Sequence, residues 1–113
     1  MKERFERPWG WYENLKEETG YKVKRLYVQP NQKISLQYHN HRDEHWVVVS
    51  GDGILELNKD NKNLKVGDHI LIPVLSKHRI TGGNSGIIII EVQLGKICNE
   101  EDIVRIEDAY GRI

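Results

Sequence analysis

Alanine, the strongest helix former, occurs once in these 113 residues, at Ala109, so a helical bundle has little propensity to draw on. Cysteine also occurs once, as Cys98. No disulfide can form within the chain, and a reducing compartment is expected. Neither sign of charge is in excess: Lys plus Arg and Asp plus Glu number 17 each. Non-specific binding of nucleic acid or of an anionic membrane surface needs a basic surplus, so neither is expected as a partner. Long hydrophobic runs are missing too. The longest aliphatic one is Ile87-Ile88-Ile89-Ile90, far short of the ~18–20 residues of a membrane span. The charged start, Met1 to Arg7, has no apolar segment behind it and does not resemble a signal peptide. The expectation is a cytoplasmic protein forming one domain over residues 1–113.

What the chain has instead is Ile and Val, 22 between them. β-branched side chains suit pleated strands, so the chain should be mostly β. Strands are expected over 21–28, 34–39, 44–50, 54–57, 70–73, 87–94 and 103–106. Turn chemistry separates them: Pro30-Asn31, a turn at 50–53, a polar hairpin loop at 58–63, a corner at 66–68 and a glycine-rich loop at 82–86. A short helix over 13–18, ended by Gly20, is the alternative to coil there. Many short strands at regular spacing point to a sandwich or barrel. Trp46, Val48 and the 87–90 run belong to the core. Trp9 and Trp11 suit a barrel end or a subunit contact, and His69 and Cys98 have no chemical role.

The chemistry-bearing residues crowd into one stretch: Gln37, His39, His41, Glu44 and His45. Side chains alternate faces along a strand, so Gln37 and His39 point the same way, about 7 Å apart. Glu44, on the returning strand, shares a face with Trp46 and Val48, opposite to His45, Val47 and Val49. His78 is a distant fourth candidate. An amide oxygen, two imidazoles and a carboxylate form a mixed N/O donor set that suits Zn²⁺, Mn²⁺, Fe²⁺, Co²⁺ or Ni²⁺ better than Cu(I). The competing reading is an exposed polar turn that gathers histidines by chance.

The spacing resembles the two motifs of the cupin superfamily. Asn31, Gln37, His39, Glu44 and Gly51 stand at the places of motif one (about 31–51). Gly67, Pro73, Leu75, His78 and Gly82 stand at those of motif two (about 67–82). Asn31, Leu75 and Gly82 replace the motif's Gly, Gly and Asn. Asn tolerates a positive φ, whereas Leu does not suit a turn that needs Gly, so the loop before His78 is expected to differ in shape. A closer resemblance runs from Arg7 to Arg112. Arg7-Pro8-Trp9-Gly10, Glu44 to Gly51, Lys77-His78-Arg79, Ile103-Val104-Arg105 and Tyr110-Gly111-Arg112 are similar to the C-terminal domain of type II phosphomannose isomerases. Those enzymes are usually bifunctional, with a mannose-1-phosphate guanylyltransferase as N-terminal domain. No GTP chemistry is assigned to these 113 residues.

The resemblance implies an all-β jelly-roll barrel with a divalent metal inside, held by Gln37, His39, Glu44 and His78. It implies a metal-dependent isomerase that interconverts mannose 6-phosphate and fructose 6-phosphate and so feeds GDP-mannose and polysaccharide biosynthesis. It marks Arg42, Arg105 and Arg112 as activity-related, with phosphate and enediolate stabilisation as their physical role. The alternative for these arginines is a surface charge beside Glu107 or Asp108. Arg105 should face opposite to Val104 and Ile106. His41 is a candidate proton shuttle by strand parity, or else an exposed loop residue; no base is named. The implied partners are a sugar phosphate, a second copy in a homodimer, and a separate nucleotidyltransferase. The rival to an enzyme is a non-catalytic cupin module that binds a sugar phosphate or nucleotide sugar.

Overall fold

The computed structural model describes residues 3–98 and 100–112, and contains no helix among them. Nine strands follow in order: β1 Arg4–Arg7, β2 Gly10–Glu18, β3 Tyr21–Val28, β4 Leu36–Tyr38, β5 Arg42–Leu57, β6 Asp60–Lys65, β7 His69–Ile72, β8 His78–Gly95 and β9 Val104–Glu107. All their pairings are antiparallel. No helix long and apolar enough to cross a membrane occurs among the described residues.

Two long strands organise the fold. β5 has 16 residues and β8 has 18, and they pair along nearly their whole lengths, from Arg42↔Gly95 to Leu57↔His78. The register slips between Val48 and Ser50 and again between Gly51 and Gly53. Such bulges bend a strand and increase its twist, so each long strand serves two faces. The first half of β5 pairs with β7 and with the second half of β8, which continues through β3 and β2 to β1. The second half of β5 pairs with β6 and with the first half of β8, beside which lie β4 and β9. The two curled faces enclose Trp9, Tyr12, Leu26, Val28, Ile34, Trp46, Val48, Leu55, Leu64, Ile72, Ile80, Ile87 and Ile89. Burying each large apolar side chain contributes about 1.5–3 kcal/mol.

Several boundaries differ from the sequence expectations, for local reasons. Residues 13–18 are strand, not helix, because they pair with β3 from Glu13↔Arg25 to Glu18↔Tyr21; ladder partners outweigh a weak local propensity. The polar loop at 58–63 shrinks to Asn58 and Lys59, at φ 48° and 75°, the left-handed pair of a tight hairpin. Asp60 onward is β6. The 50–53 turn and the 82–86 loop are both continuous strand, carried by glycine-bearing bends. At Gly82 an added Cβ would lie 2.3 Å from the Gln29 carbonyl oxygen, so only glycine admits that backbone approach.

The interior changes character along the barrel. Tyr12, Leu26, Ile89 and Val48 form one cross-strand row that is buried and apolar. Two residues further along, the row is Lys24, Glu91, Trp46 and Ile70. Another step gives Lys22, Gln93, Glu44 and Ile72. All of these side chains are buried as well. Charges withdrawn from water cost free energy unless they are paired, so the polar rows set this end of the barrel apart from the apolar one.

Candidate metal centre and the cavity beside it

His39, just past β4, Glu44 in β5 and His78 at the start of β8 converge at that polar end. One ligand atom from each lies within 4.8 Å of the others, and all three residues are buried. Parity places Glu44: along β5 the residues Glu44, Trp46 and Val48 are buried while His45, Val47 and Val49 are exposed. His39 Nδ1 lies 2.7 Å from the Asp102 carbonyl oxygen, and His78 Nδ1 lies 2.9 Å from the Ser76 carbonyl oxygen. A carbonyl only accepts, so each Nδ1 carries a proton and each Nε2 is the atom turned to the cluster. His39 Nε2 sits 3.0 Å from Glu44 Oε2, and His78 Nε2 sits 4.0 Å from Glu44 Oε1.

The Glu44 carboxylate is further fixed by Arg42 Nε at 2.9 Å and Trp46 Nε1 at 3.0 Å. Burial by itself would raise the Glu44 pKa; His39, His78 and Arg42 overcome that and hold it well below the usual carboxylate range. Burial lowers His78 to about 4, so its ring is neutral at ordinary pH. His78 Nε2 is buried and has no hydrogen-bond partner among the described residues. An orphaned imine nitrogen beside an ionised carboxylate and a second imidazole is a donor set a divalent cation fits. Gln37 lies next to it: its Cα pairs with that of His78, and its Oε1 accepts a hydrogen bond from Ser35 Oγ at 2.8 Å.

A cleft of about 570 Å³, open mouth included, adjoins the cluster. Gln37, Arg42 and Glu44 line it, together with Arg7, Lys24, Arg105 and Arg112, the acids Glu91 and Glu100, and the rings of Trp9, Tyr12 and Trp46. Of the arginines expected at the site, Arg42 is buried at its floor. Arg105 is paired with Gln37 across β4 and β9 and has a buried Nε without a hydrogen-bond partner among the described residues. Arg105 therefore faces the cavity, while Ile106 is exposed. Arg112 reaches the same cavity, held by Asp108 through Nε at 3.0 Å and Nη2 at 2.8 Å. That clamp lowers Asp108 to about 2.

His41 is not brought to the site. β4 ends at Tyr38, so strand parity does not carry that far. His41 is exposed and lies by Asn40, Asp43 and Lys96 on another part of the surface. Trp9 walls the cavity, whereas Trp11 lies on the outer face with Arg4 3.9 Å above its ring.

The structure adds residues that the sequence reading passed over. Glu91 is buried on the cavity wall; burial, then the Glu44 carboxylate, push it up to about 7, against the pull of Lys24 and of the Gln93 amide. Gln93 Nε2 donates to Glu91 Oε2 at 2.6 Å, and Gln93 Oε1 is buried without a hydrogen-bond partner among the described residues. Burial opposes the charge on Lys24, but Glu91, Glu100 and Glu44 raise it above the ordinary lysine range. Its ammonium bonds Glu100 at 3.3 and 3.1 Å. A signal for these residues existed: Lys22, Lys24 and Leu26 share parity in β3, as do Ile87, Ile89, Glu91 and Gln93 in β8.

Residues 1–108 match the model of a family described as mannose-6-phosphate isomerase, C-terminal. Mannose-1-phosphate guanylyltransferase ManC of Salmonella typhimurium is 41% identical over 108 residues, which cover 95% of this chain and 22% of that protein. Alginate biosynthesis protein AlgA of Pseudomonas aeruginosa is 41% identical over 107 residues, covering 94% of this chain and 22% of that one. The chain thus spans about a fifth of the length of these curated relatives. Among solved structures, oxalate decarboxylase from Bacillus subtilis superposes with a TM-score of 0.84 at 12% identity, over 93% of this chain and 30% of that one. Pac13, a nucleoside dehydratase from Streptomyces, superposes with a TM-score of 0.78 at 19% identity, over 95% and 86%. At such identities the likeness is one of fold, the cupin jelly roll.

Proposed function

The chain belongs to the family of mannose-6-phosphate isomerase C-terminal domains, and we propose that it interconverts mannose 6-phosphate and fructose 6-phosphate with a divalent metal bound beside the cavity. One observation carries this reading: a buried His39–Glu44–His78 cluster opens beside a cleft ringed by Arg7, Arg42, Arg105 and Arg112. Metal donors next to cationic side chains suit a substrate that is both polyhydroxylated and phosphorylated.

Gln37, His39, Glu44 and His78 would hold the ion, which supplies Lewis acidity toward the sugar oxygens. Arg105 and Arg112 offer planar forks for the phosphate. Asp108 holds the Nε–Nη2 edge of Arg112, and the buried Nε of Arg105, which has no hydrogen-bond partner among the described residues, has a hydrogen bond to give. Arg42 spans Glu44 Oε2 and His39 Nε2, at 2.9 and 3.5 Å, and so orients the ligand carboxylate. Trp9, Tyr12 and Trp46 narrow the cavity and limit water.

The test is a coupled assay for fructose 6-phosphate on the purified chain, with and without chelator. Turnover that chelator abolishes and added metal restores supports the isomerase. The guanylyltransferase named among the relatives favours a second reading, a module that binds a sugar phosphate beside a nucleotidyltransferase. Metal and mannose 6-phosphate bound without turnover would support that one. His39→Ala should abolish metal uptake, and an unchanged metal content would refute the site.

A further inference from the structure

We propose that Glu91 is the acid–base of this cavity, the carboxylate that lifts the proton from C2 of the open-chain sugar phosphate and returns it to C1. This inference rests on the isomerase reading above. The reaction needs a group that can take a carbon-bound proton, and the metal cluster does not provide one. Three carboxylates line the cavity: Glu44, Glu91 and Glu100. Glu44 is engaged by His39, Arg42 and Trp46. Glu100 accepts from Lys24 through both oxygens and lies 3.7 Å from the Lys22 ammonium. Glu91 is held through Oε2 alone, by the Gln93 amide, and Oε1 takes no hydrogen bond from the described residues.

Position adds to this. Glu91 belongs to the buried row Lys24–Glu91–Trp46, one step from the Gln93–Glu44 row that leads to the metal ligands. Glu91 lines the same cavity as Gln37, Glu44 and Arg105, so a sugar phosphate held there by the ligand cluster and Arg105 shares that cavity with its carboxylate. Lys24, the Cα partner of Glu91 across β3 and β8, keeps a positive charge in the same row, and Glu100 ties that ammonium to one side.

The proton count closes without a co-reactant. Glu91 takes the hydrogen from C2; that bond's electron pair becomes the C1=C2 π bond, and the C1=O π pair moves onto O1. The O2 proton passes to O1, an O2 lone pair forms the C2=O bond, and the C1=C2 pair takes the proton back from Glu91 at C1. C1 is reduced and C2 is oxidised by the same two electrons. Because Glu91 is only 4% exposed, part of the hydrogen removed from C2 should reappear at C1 before it exchanges with water.

The experiment uses the full chain loaded with Zn²⁺ or Mn²⁺ and mannose 6-phosphate deuterated at C2. Wild type should form fructose 6-phosphate with deuterium at C1. Glu91→Gln should lower turnover and deuterium wash-out together by ~10²–10⁴-fold, the usual contribution of a general base. Its metal content and its affinity for mannose 6-phosphate should be unchanged. Wild-type turnover in E91Q overturns the inference and leaves the isomerase reading standing. Turnover and metal lost together also overturn it, since that is the mark of a structural role. A wild-type chain that binds metal but never isomerises removes the isomerase reading, and this inference with it. If E91Q does not fold, Glu91→Asp withdraws the carboxyl by one methylene: turnover should fall with metal retained, and undiminished turnover overturns the assignment.

Discussion

His39 and Asp102 stand 63 residues apart in the chain, yet the Asp102 carbonyl oxygen receives the His39 Nδ1 proton at 2.7 Å. The carboxylate of the same aspartate accepts from the backbone N–H groups of Asn40 and His41, at 2.9 and 3.0 Å. One residue thus fixes both the ring orientation of His39 and the turn that follows it. Partners of this kind behind a metal-binding histidine set its tautomer and its basicity.

Asp102→Ala keeps the carbonyl that holds His39 Nδ1 but removes the carboxylate that fixes the turn at Asn40 and His41, so metal binding should weaken through that turn, although no ligand is touched. It should also cost about 1–3 kcal/mol of stability, because two backbone donors lose their acceptor. Chelator competition measures the first effect and urea unfolding the second. Unchanged metal affinity would show that the turn at Asn40 and His41 does not position His39.

Trp46 Nε1 donates to Glu44 Oε1 from the next inward position on β5. Trp46→Phe keeps an aromatic ring in the core and removes the donor. Metal affinity should fall about tenfold or more, with no change in the number of ions bound per chain. Titration calorimetry would show it, and an altered stoichiometry would contradict it.

Leu75 occupies a position where the sequence pattern led to a loop of different shape. There Leu75 adopts a left-handed conformation, at φ 69°, with its N–H donating to the His39 carbonyl at 2.9 Å. The side chain is 59% exposed, so it offsets little of the strain. Leu75→Gly should stabilise the fold by about 1 kcal/mol, the usual cost of a left-handed L-residue. Gly82→Ala should do the opposite and lower the melting temperature sharply, since a Cβ there would meet the Gln29 and Val28 carbonyl oxygens at 2.3 and 2.8 Å. Thermal melts of the two variants should move in opposite directions.

Glu91 gives the metal-free protein a pH dependence whose sign is definite. Its pKa is raised from 4.5 to about 7 in the fold, so the native state binds more protons than the unfolded chain between those values. The stability this contributes is complete below pH 4.5 and is lost as the pH rises toward 7. The full span corresponds to roughly 3 kcal/mol. Glu91→Gln stays neutral throughout, so its stability relative to wild type should be higher at pH 8 than at pH 5. Urea midpoints at the two pH values, in chelator, measure the difference; a midpoint difference independent of pH would contradict it.

What could be read from residue order alone was local. Scarce alanine and abundant Ile and Val announced strands, and β3 begins and ends where its alternation does. Parity along 44–49 put Glu44, Trp46 and Val48 inside, and the resemblance to the cupin motifs implied His39, Glu44 and His78, three residues whose ligand atoms the fold gathers. The rest needed distant partners. Residues 13–18 are strand because β3 lies beside them. The glycines at 51, 53, 82 and 83 bend long strands where turns were expected, because the neighbouring strand supplies the ladder on both sides of each bend. His41 left the site when β4 ended early. Glu91 and Gln93 went unnoticed because both faces of β8 carry Ile or Val, so periodicity could not say which one turned inward. A strand's alternation divides its residues into two sets; only the sheet that packs against one of them decides which set is the interior, and here that choice made two adjacent buried polar rows, one with Lys24 and Glu91 and the next with Lys22, Gln93 and Glu44.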